Sequence, residues 1–385
     1  TTTYTPLCSE AIAAILTNPL ALLVVIVSMK MGIQAMWLFL LTLGFLSAIT
    51  PTAAQPFKCS SPTTCNSIVD YVSPNATTIS AIKTLFGIRN LRSLLGANNF
   101  PLSTPATQPV AAKQKIKIPF PCLCTNGTGI SNKRPYYKVV PDDGLYHIAA
   151  EVFSNLVTYR QIQAVNNISD ANKIEVGQKL WIPLPCSCDQ VDGEKVVHYG
   201  HVVDAGSTVE GIAQQYNTTE DTLLKLNGLA SPNDLKAAAV LDVPLKACTS
   251  IVSNSSMDYP LLVPNGTYIF TATNCVRCKC DAANNMVLQC EPSHINSSRW
   301  QSCPSMQCQG ADNLYLGNST ASTCNRTTCG YAGYLNNQTI LANAVVRSTC
   351  SVSESSATKF STQAWRWNFL LIFVQLVLFS LHLSL

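Results

Sequence analysis

One short phrase occurs three times in this chain and constrains its architecture more than any other feature. Ile118-Pro119-Phe120-Pro121-Cys122 returns as Ile182-Pro183-Leu184-Pro185-Cys186, then as Val243-Pro244-Leu245 with Cys248 behind it. Cys122, Cys186 and Cys248 stand 64 and 62 residues apart. A repeat of that period means small modules in series. A module of about 46 residues buries little apolar surface, so it needs staples, and the cysteines between the phrases supply them.

Of the 17 cysteines, Cys8 lies apart near the start, and the rest fall between Cys59 and Cys350. An even set in an oxidising compartment predicts disulfides throughout. Cys122-Leu123-Cys124, Cys186-Ser187-Cys188 and Cys278-Lys279-Cys280 are C-x-C pairs. Two cysteines so close strain a bridge between themselves, so each is expected to reach a different partner. Those from Cys59 to Cys188 read as one closed set and those from Cys248 to Cys350 as another, whose pairing is not readable. Metal binding is the rival use of such cysteines. The secreted context and the lack of matching histidines argue against it, so neither a metal nor a cofactor is expected.

Secretion is written in the surface. Charged residues make up only 12% of the chain. Ten sequons begin at Asn75, Asn126, Asn167, Asn217, Asn254, Asn265, Asn296, Asn318, Asn325 and Asn337, and neither terminal segment has one. This is the pattern of a glycosylated ectodomain. A formal charge of +4 without a Lys/Arg cluster excludes a nucleic-acid partner.

Both ends read as processing signals. Ala35 to Ile49 is an apolar run followed by the small residues Thr52-Ala53-Ala54, so residues 31–54 form a signal peptide and Gln55 the mature start. Residues 1–30 are read as upstream translation, the alternative being a long leader or signal anchor. Near the other end, small residues around Ser355 and Ser356 precede a polar spacer (351–366) and an apolar tail (367–385). That order is a GPI-attachment signal with Ser355 or Ser356 as the attachment site. A membrane span is the alternative.

The units follow a β-α-α-β pattern, giving an α+β class. In the middle unit (134–184), Tyr136 to Val140 alternates as a strand and Pro141-Asp142-Asp143-Gly144 turns. Leu145, Ile148, Ala149, Val152 and Phe153 fall at helical spacing. Thr158 caps a second helix to Val165, and Gly177 to Ile182 returns as a strand that Pro183 ends. The third unit (197–245) repeats this with a strand over Tyr199 to Val203 and helices marked by Val209, Ile212, Ala213 and Tyr216 and by Glu220 to Leu226. Its closing strand is Val240 to Val243. The first unit (55–120) is more degenerate: Ile68 to Val72, a helix lined by Ile79, Ile82, Leu85 and Phe86, a second over Leu91 to Ala97, and a strand over Lys115 to Ile118. Residues 248–350 lack the pattern and read as a small Cys-rich spacer domain, with strands over Tyr268-Ile269-Phe270 and Met286-Val287-Leu288.

These units resemble the LysM domain. The likeness rests on the opening Tyr137 and Tyr199, on Ile148-Ala149 and Ile212-Ala213 in the first helix, and on Asn166 and Asn227 after the second. Gly177-Gln178 and Ile182-Pro183 add to it in the middle unit. The third unit departs with Leu235-Lys236-Ala237 in place of Gly-Gln, and the first lacks the glycine turn. The chain from about residue 56 onward is similar to plant LysM-domain GPI-anchored proteins, a group containing chitin receptors and peptidoglycan-sensing relatives. The local wording is closer to the peptidoglycan-sensing branch.

The resemblance implies bridges Cys59–Cys124, Cys65–Cys188 and Cys122–Cys186. It also implies a glycan groove between two loops of each unit. In the middle unit these are Asp142, Asp143, Gly144, Leu145 and Tyr146 against Ile168, Ser169, Asp170, Ala171, Asn172, Lys173 and Ile174. In the third they are Gly206, Ser207 and Thr208 against Gly228, Leu229, Ala230 and Ser231. Rigid backbone groups suit the amide of N-acetylglucosamine, and Leu145, Ile168 or Ile174 suit its methyl. Tyr137 and Trp181 read as core. Asp142 and Asp143 read equally as turn formers. A glycan on Asn167 would favour the third unit, or the opposite side of the middle one, as the open face. His198 and His201 read as structural or surface residues.

The expected function is a cell-surface receptor or co-receptor for peptidoglycan or chitin oligosaccharides. It would be held at the membrane by its lipid alone and signal through a LysM receptor-like kinase. Weak affinity per sugar implies several sugars and several receptor copies together, so homo-oligomers are expected. A wall-adhering structural protein is the main alternative. An enzyme is disfavoured, because no paired carboxylates stand at plausible positions.

Overall fold

The computed structural model describes residues 57–350. The leader, the signal peptide, the GPI-attachment region and the apolar tail lie outside the described residues. Among those described, no helix is long and apolar enough to cross a membrane.

The first unit contains β1 (Phe57–Lys58), β2 (Thr63–Val72), β3 (Thr77–Thr78), α1 (Ile79–Leu85), α2 (Leu91–Ala97), β4 (Pro109–Val110), β5 (Lys115–Thr125) and β6 (Thr128–Ser131). Thr78 and Asn90 cap its two helices, their side chains accepting from the N–H of Ala81 and Arg92. The strands run well past the expected Ile68 to Val72 and Lys115 to Ile118. Pro119 and Pro121 do not end β5: they pair across from Ile68 and Asn66. The Pro121 carbonyl accepts from Asn132 N–H on the side away from β2, so the missing proline N–H groups face that side too and the β2 ladder survives.

The middle unit is β7 (Tyr136–Lys138), α3 (Leu145–His147), α4 (Tyr159–Val165) and β8 (Lys179–Trp181). The helix expected from Leu145 to Phe153 widens after α3 into a π-turn over Ile148–Val152, closed by Phe153 N–H on the Ile148 carbonyl. Thr158 and Gln161 form a reciprocal capping box on α4. Beyond β8, the Ile182-Pro183-Leu184-Pro185 phrase leaves its own hairpin and runs beside β6. Ser131 N–H donates to Leu184 and Cys186 N–H to Gly129.

The third unit is β9 (Val196–Val202), α5 (Val209–Gln215), α6 (Glu220–Asn227) and β10 (Val240–Lys246). Pro244 lies within β10 rather than ending it, which an edge strand tolerates.

Linkers and their disulfides were expected to join the units, and strand pairing joins them as well. One six-stranded sheet runs β1-β6-β5-β2-β9-β10, with β2 and β9 parallel at Ile68–Tyr199 and Val69–Gly200. Alternation along β2 puts Val69 in a core shared by the first and middle units and Ile68 in that of the third. A Cβ on Gly200 would stand 2.9 Å from Val69 Cγ2, so the close approach of β9 requires glycine. The middle unit packs on the first through Phe86 and Phe153, whose rings meet edge to face at 5.6 Å. Three bridges staple this body: Cys59–Cys124, Cys65–Cys188 and Cys122–Cys186.

The last region holds three small sheets: β11 (Thr267–Thr271), β12 (Val276–Cys280) and β13 (Gln289–Pro292); β14 (Gln307–Cys308) and β15 (Ala311–Tyr315); β16 (Ser319–Ala321), β17 (Asn325–Leu335) and β18 (Thr339–Ser348). Its bridges are Cys248–Cys280, Cys275–Cys303, Cys278–Cys290, Cys308–Cys329 and Cys324–Cys350. The strand expected over Met286-Val287-Leu288 is instead an isolated bridge at Val287, because Asn285 and Met286 both turn through positive φ. The region is packed against the first unit. It docks on α2, where Tyr268 hydroxyl donates to the Phe100 carbonyl at 2.7 Å and a Cβ on Gly96 would overlap the Tyr268 carbonyl oxygen.

Candidate functional site

Each unit fastens its second loop in the same way. Asn166 Nδ2 donates to the Ile162 and Trp181 carbonyls, both at 2.8 Å, and Asn166 Oδ1 accepts from Trp181 N–H at 2.9 Å. Asn227 does the same with Leu223 and Asp242, and Asn98 with Leu94 and Lys117. The turn before each closing strand also matches. Gly177, Ala238 and Lys113, all at positive φ, donate to the Val139, Val203 and Ser73 carbonyls at 2.7 to 2.8 Å. The degenerate wording of the first unit therefore hides the same latch and turn.

In the middle unit the expected site residues divide. Asp143 points inward: its carboxylate accepts from Tyr137 hydroxyl at 2.9 Å and Val140 N–H at 2.7 Å, and meets His147 Nδ1 at 2.9 Å. It builds the turn and has no free face for a ligand. Burial and the neighbouring Asp143 push the Tyr137 hydroxyl up to about 12. Gly144 stands at the N-terminus of α3, and Leu145 is sealed in the core. Asp142 and Tyr146 face solvent, Tyr146 at 70% exposure. Ile168, Ala171 and Ile174 of the second loop are half-buried against the same core cluster that holds Leu145. Ser169, Asn172 and Lys173 are exposed, while Asp170 takes Asn172 N–H and pairs with Lys173. Asn167, at positive φ, is exposed beside this loop, as are all ten sequon asparagines.

In the third unit, Thr208 is committed to capping α5 through Gly211 N–H. Ser231 is bound to Asp234 through both its N–H and its hydroxyl. Gly206, Gly228 and Ala230 are exposed, Ser207 is half-buried, and Leu229 is half-buried on that unit's core.

A concavity that sequence reasoning missed lies in the first unit. A cleft of about 250 Å³ is lined by Ile79, Phe100, Thr104, Gln108, Pro109, Val110 and Gln114, from the same two segments that carry the expected loops elsewhere. Loop length was the signal: residues 98–114 separate α2 from β5, against 166–178 and 228–239 in the other units.

Both histidines are structural. His198 Nδ1 meets Asp242 at 2.9 Å and its Nε2 donates to the Asp189 carbonyl at 2.9 Å. Burial opposes the imidazolium, but the Asp242 charge and these hydrogen bonds outweigh it and hold His198 above its ordinary value. Asp70, buried between the first and third units, accepts from Tyr199 hydroxyl and Val202 N–H and meets His201 Nδ1 at 3.0 Å. The sulfurs of Cys65, Cys122 and Cys188 cluster within 4.8 Å, but each is already in a disulfide and none is a thiolate for a metal.

The family model for the LysM domain matches residues 137–183 and 201–244, on the middle and third β-α-α-β units. LysM domain-containing GPI-anchored protein 2 of Arabidopsis thaliana is 47% identical over 347 residues, covering 89% of this chain and 97% of that protein. The chitin elicitor-binding protein of Oryza sativa subsp. japonica is 41% identical, covering 82% of this chain and 88% of the relative. LysM domain-containing GPI-anchored protein 1 of Arabidopsis thaliana is 36% identical over 80% of this chain and 74% of its own length. Likeness of this extent, carried by two LysM units and a disulfide-rich region, places the chain among the plant LysM domain-containing GPI-anchored proteins, extracellular proteins of the plasma membrane rather than enzymes.

Proposed function

We propose that this protein is a surface receptor or co-receptor for oligosaccharides of N-acetylglucosamine, chitin fragments first among them, and that it signals through a LysM receptor kinase. The observation that carries the ligand class is the 41% identity to a chitin elicitor-binding protein along 82% of the chain. It moves the reading from the peptidoglycan-sensing branch toward chitin. Exposed Tyr146 and half-buried Ile168 and Ile174, all packed on or beside the core that holds Leu145, support a shallow sugar site in the middle unit in which they meet the acetamido methyl and ring. The first unit acts as a third LysM module, supported by its shared latch and turn. Long oligomers engage several units, or several copies of the protein, at once.

The test is titration of the glycosylated ectodomain, residues 55–355, with chitin oligomers of increasing length and, in parallel, soluble peptidoglycan fragments. Affinity rising with chitin length and no release of products is expected. Binding to peptidoglycan alone would reverse the ligand assignment, and turnover of either glycan would overturn the receptor reading.

A further inference from the structure

The larger of the two clefts described lies apart from the expected loops of the middle and third units. It is a cleft of about 960 Å³ between the first unit's Asn99–Leu102 segment and the disulfide-rich region. That size suits a ligand of several rings. One wall carries Arg277 and Lys279 from β12, and the other carries Arg326 from β17 and Arg347 from β18.

Arg277 is paired with Glu291, and Lys279 with Asp281 at 3.2 Å. Arg326 and Arg347 are different. They are cross-strand partners on one face of the sheet, both exposed, and among the described residues neither has a carboxylate partner. Like charges directly opposite each other on a sheet repel. Such a pair lining a cleft is complementary to an anion that bridges it.

We infer that this cleft binds a polyuronate, a linear oligosaccharide whose sugars carry carboxylates, with Arg326 and Arg347 clamping one of them. The side chains along the walls favour a sugar chain over an acidic peptide. β12 and β17 are each the central strand of their sheet, so their backbone groups are already paired. A peptide has only edge strands to add to, β13 and β18 among them, which also line the cleft, and the polyglutamate arm of the test decides that alternative. What the walls offer is side chains: guanidinium groups for carboxylates, and Gln289, Asn285 and Thr328 for hydroxyls. Asn318 and Asn325 carry sequons, but neither lines the cleft, and Asn325 alternates to the face of β17 opposite Arg326. A glycan on Asn325 is therefore carried away from the cleft.

The experiment uses the full chain, made and processed in plant cells and released from its lipid. The probes are a galacturonate oligomer, its methyl ester, a mannuronate oligomer and a polyglutamate peptide of matched charge. Binding of a uronate oligomer that weakens with salt and is absent for the ester is expected. Preference between the two uronates separates a plant-wall from a microbial source. Arg326→Gln with Arg347→Gln should lose roughly tenfold or more in affinity, with the unfolding midpoint unchanged because both side chains are exposed. Arg347→Glu alone should lose as much. Chitin oligomers should not compete. Equal binding of the ester, undiminished binding by these variants, tighter binding of polyglutamate, or no uronate binding would each overturn the proposal, and none of them bears on the loops of the middle and third units.

Discussion

Replacing Asn227 by alanine removes three hydrogen bonds: from Nδ2 to the Leu223 and Asp242 carbonyls, both at 2.9 Å, and to Oδ1 from Asp242 N–H at 2.7 Å. Asp242 is buried, so its N–H and carbonyl lose partners in a place where water replaces them poorly. At about 1 kcal/mol net per bond, with an added penalty for the stranded groups, the loss comes to about 3–4 kcal/mol. For a disulfide-stapled body of this size that is a fall of roughly 5–10 °C in the unfolding midpoint. Asn227→Asp has nearly the same shape but turns an oxygen toward two carbonyls, so it should be at least as damaging. Calorimetry of the oxidised ectodomain measures both. A midpoint within about 1 °C of wild type for either variant would refute the latch as a structural device.

The same substitution reads out function. Gly228 begins the third unit's second loop immediately beyond the latch, and Asn166 and Asn98 hold the matching loops of the other units. Alanine at each in turn, followed by chitin titration at a temperature where all remain folded, shows which loop carries the ligand. Binding lost with one variant alone locates the site in that unit. Equal, proportionate losses in all three would mean that the latches act only through global stability.

Tyr146→Ala should weaken chitin binding severalfold without moving the midpoint, since the side chain is 70% exposed; unchanged affinity would remove Tyr146 from the site. Gly96→Ala forces a Cβ onto the Tyr268 carbonyl oxygen and should cost about 1–3 kcal/mol while loosening the disulfide-rich region from α2, seen as faster hydrogen exchange over residues 91–102. The His198–Asp242 pair gives a pH signature. The folded pKa of His198 is raised, so its stabilising contribution is full below the ordinary histidine value of about 6.5 and is lost as pH climbs through the raised value. Midpoints of wild type should decline over that alkaline window relative to His198→Gln, and parallel curves would refute the assignment.

Helices were legible where apolar spacing is local. Val209, Ile212 and Ala213 are all buried along α5, and Thr158 caps α4 as its position suggests. Strand extents were less so: the expected strands stop at Ile118 and Val243, but a proline is tolerated in a strand where its nitrogen faces away from a partner strand, as at Pro119, or lies on an edge, as at Pro244. The parallel contact of β2 with β9 was invisible. It depends on Gly200 lying against Val69, residues 131 apart in sequence, and no periodicity reports such a meeting. The same distance hid the burial of His201, whose partner Asp70 comes from another unit. Among the site residues, Asp143 and Thr208 illustrate a general ambiguity. Short polar residues before a helix serve as caps and turn formers as readily as ligand contacts, and only their bonds decide.

A sheet shared between units also changes how weak sugar contacts add. In a string of modules on flexible linkers, a second loop pair meets the ligand at a concentration set by linker entropy. Here β2 and β9 are hydrogen-bonded, Cys65–Cys188 and Cys122–Cys186 cross the linkers, and Phe86 packs on Phe153. The loop pairs are therefore held at fixed spacing, and the ordering cost of bringing them together is met in folding rather than in binding. Affinity should then rise in a step when an oligomer first becomes long enough to span two loop pairs, whereas independent modules would give a gradual rise with length. Reduction of the bridges should flatten the step before it abolishes binding to any single unit.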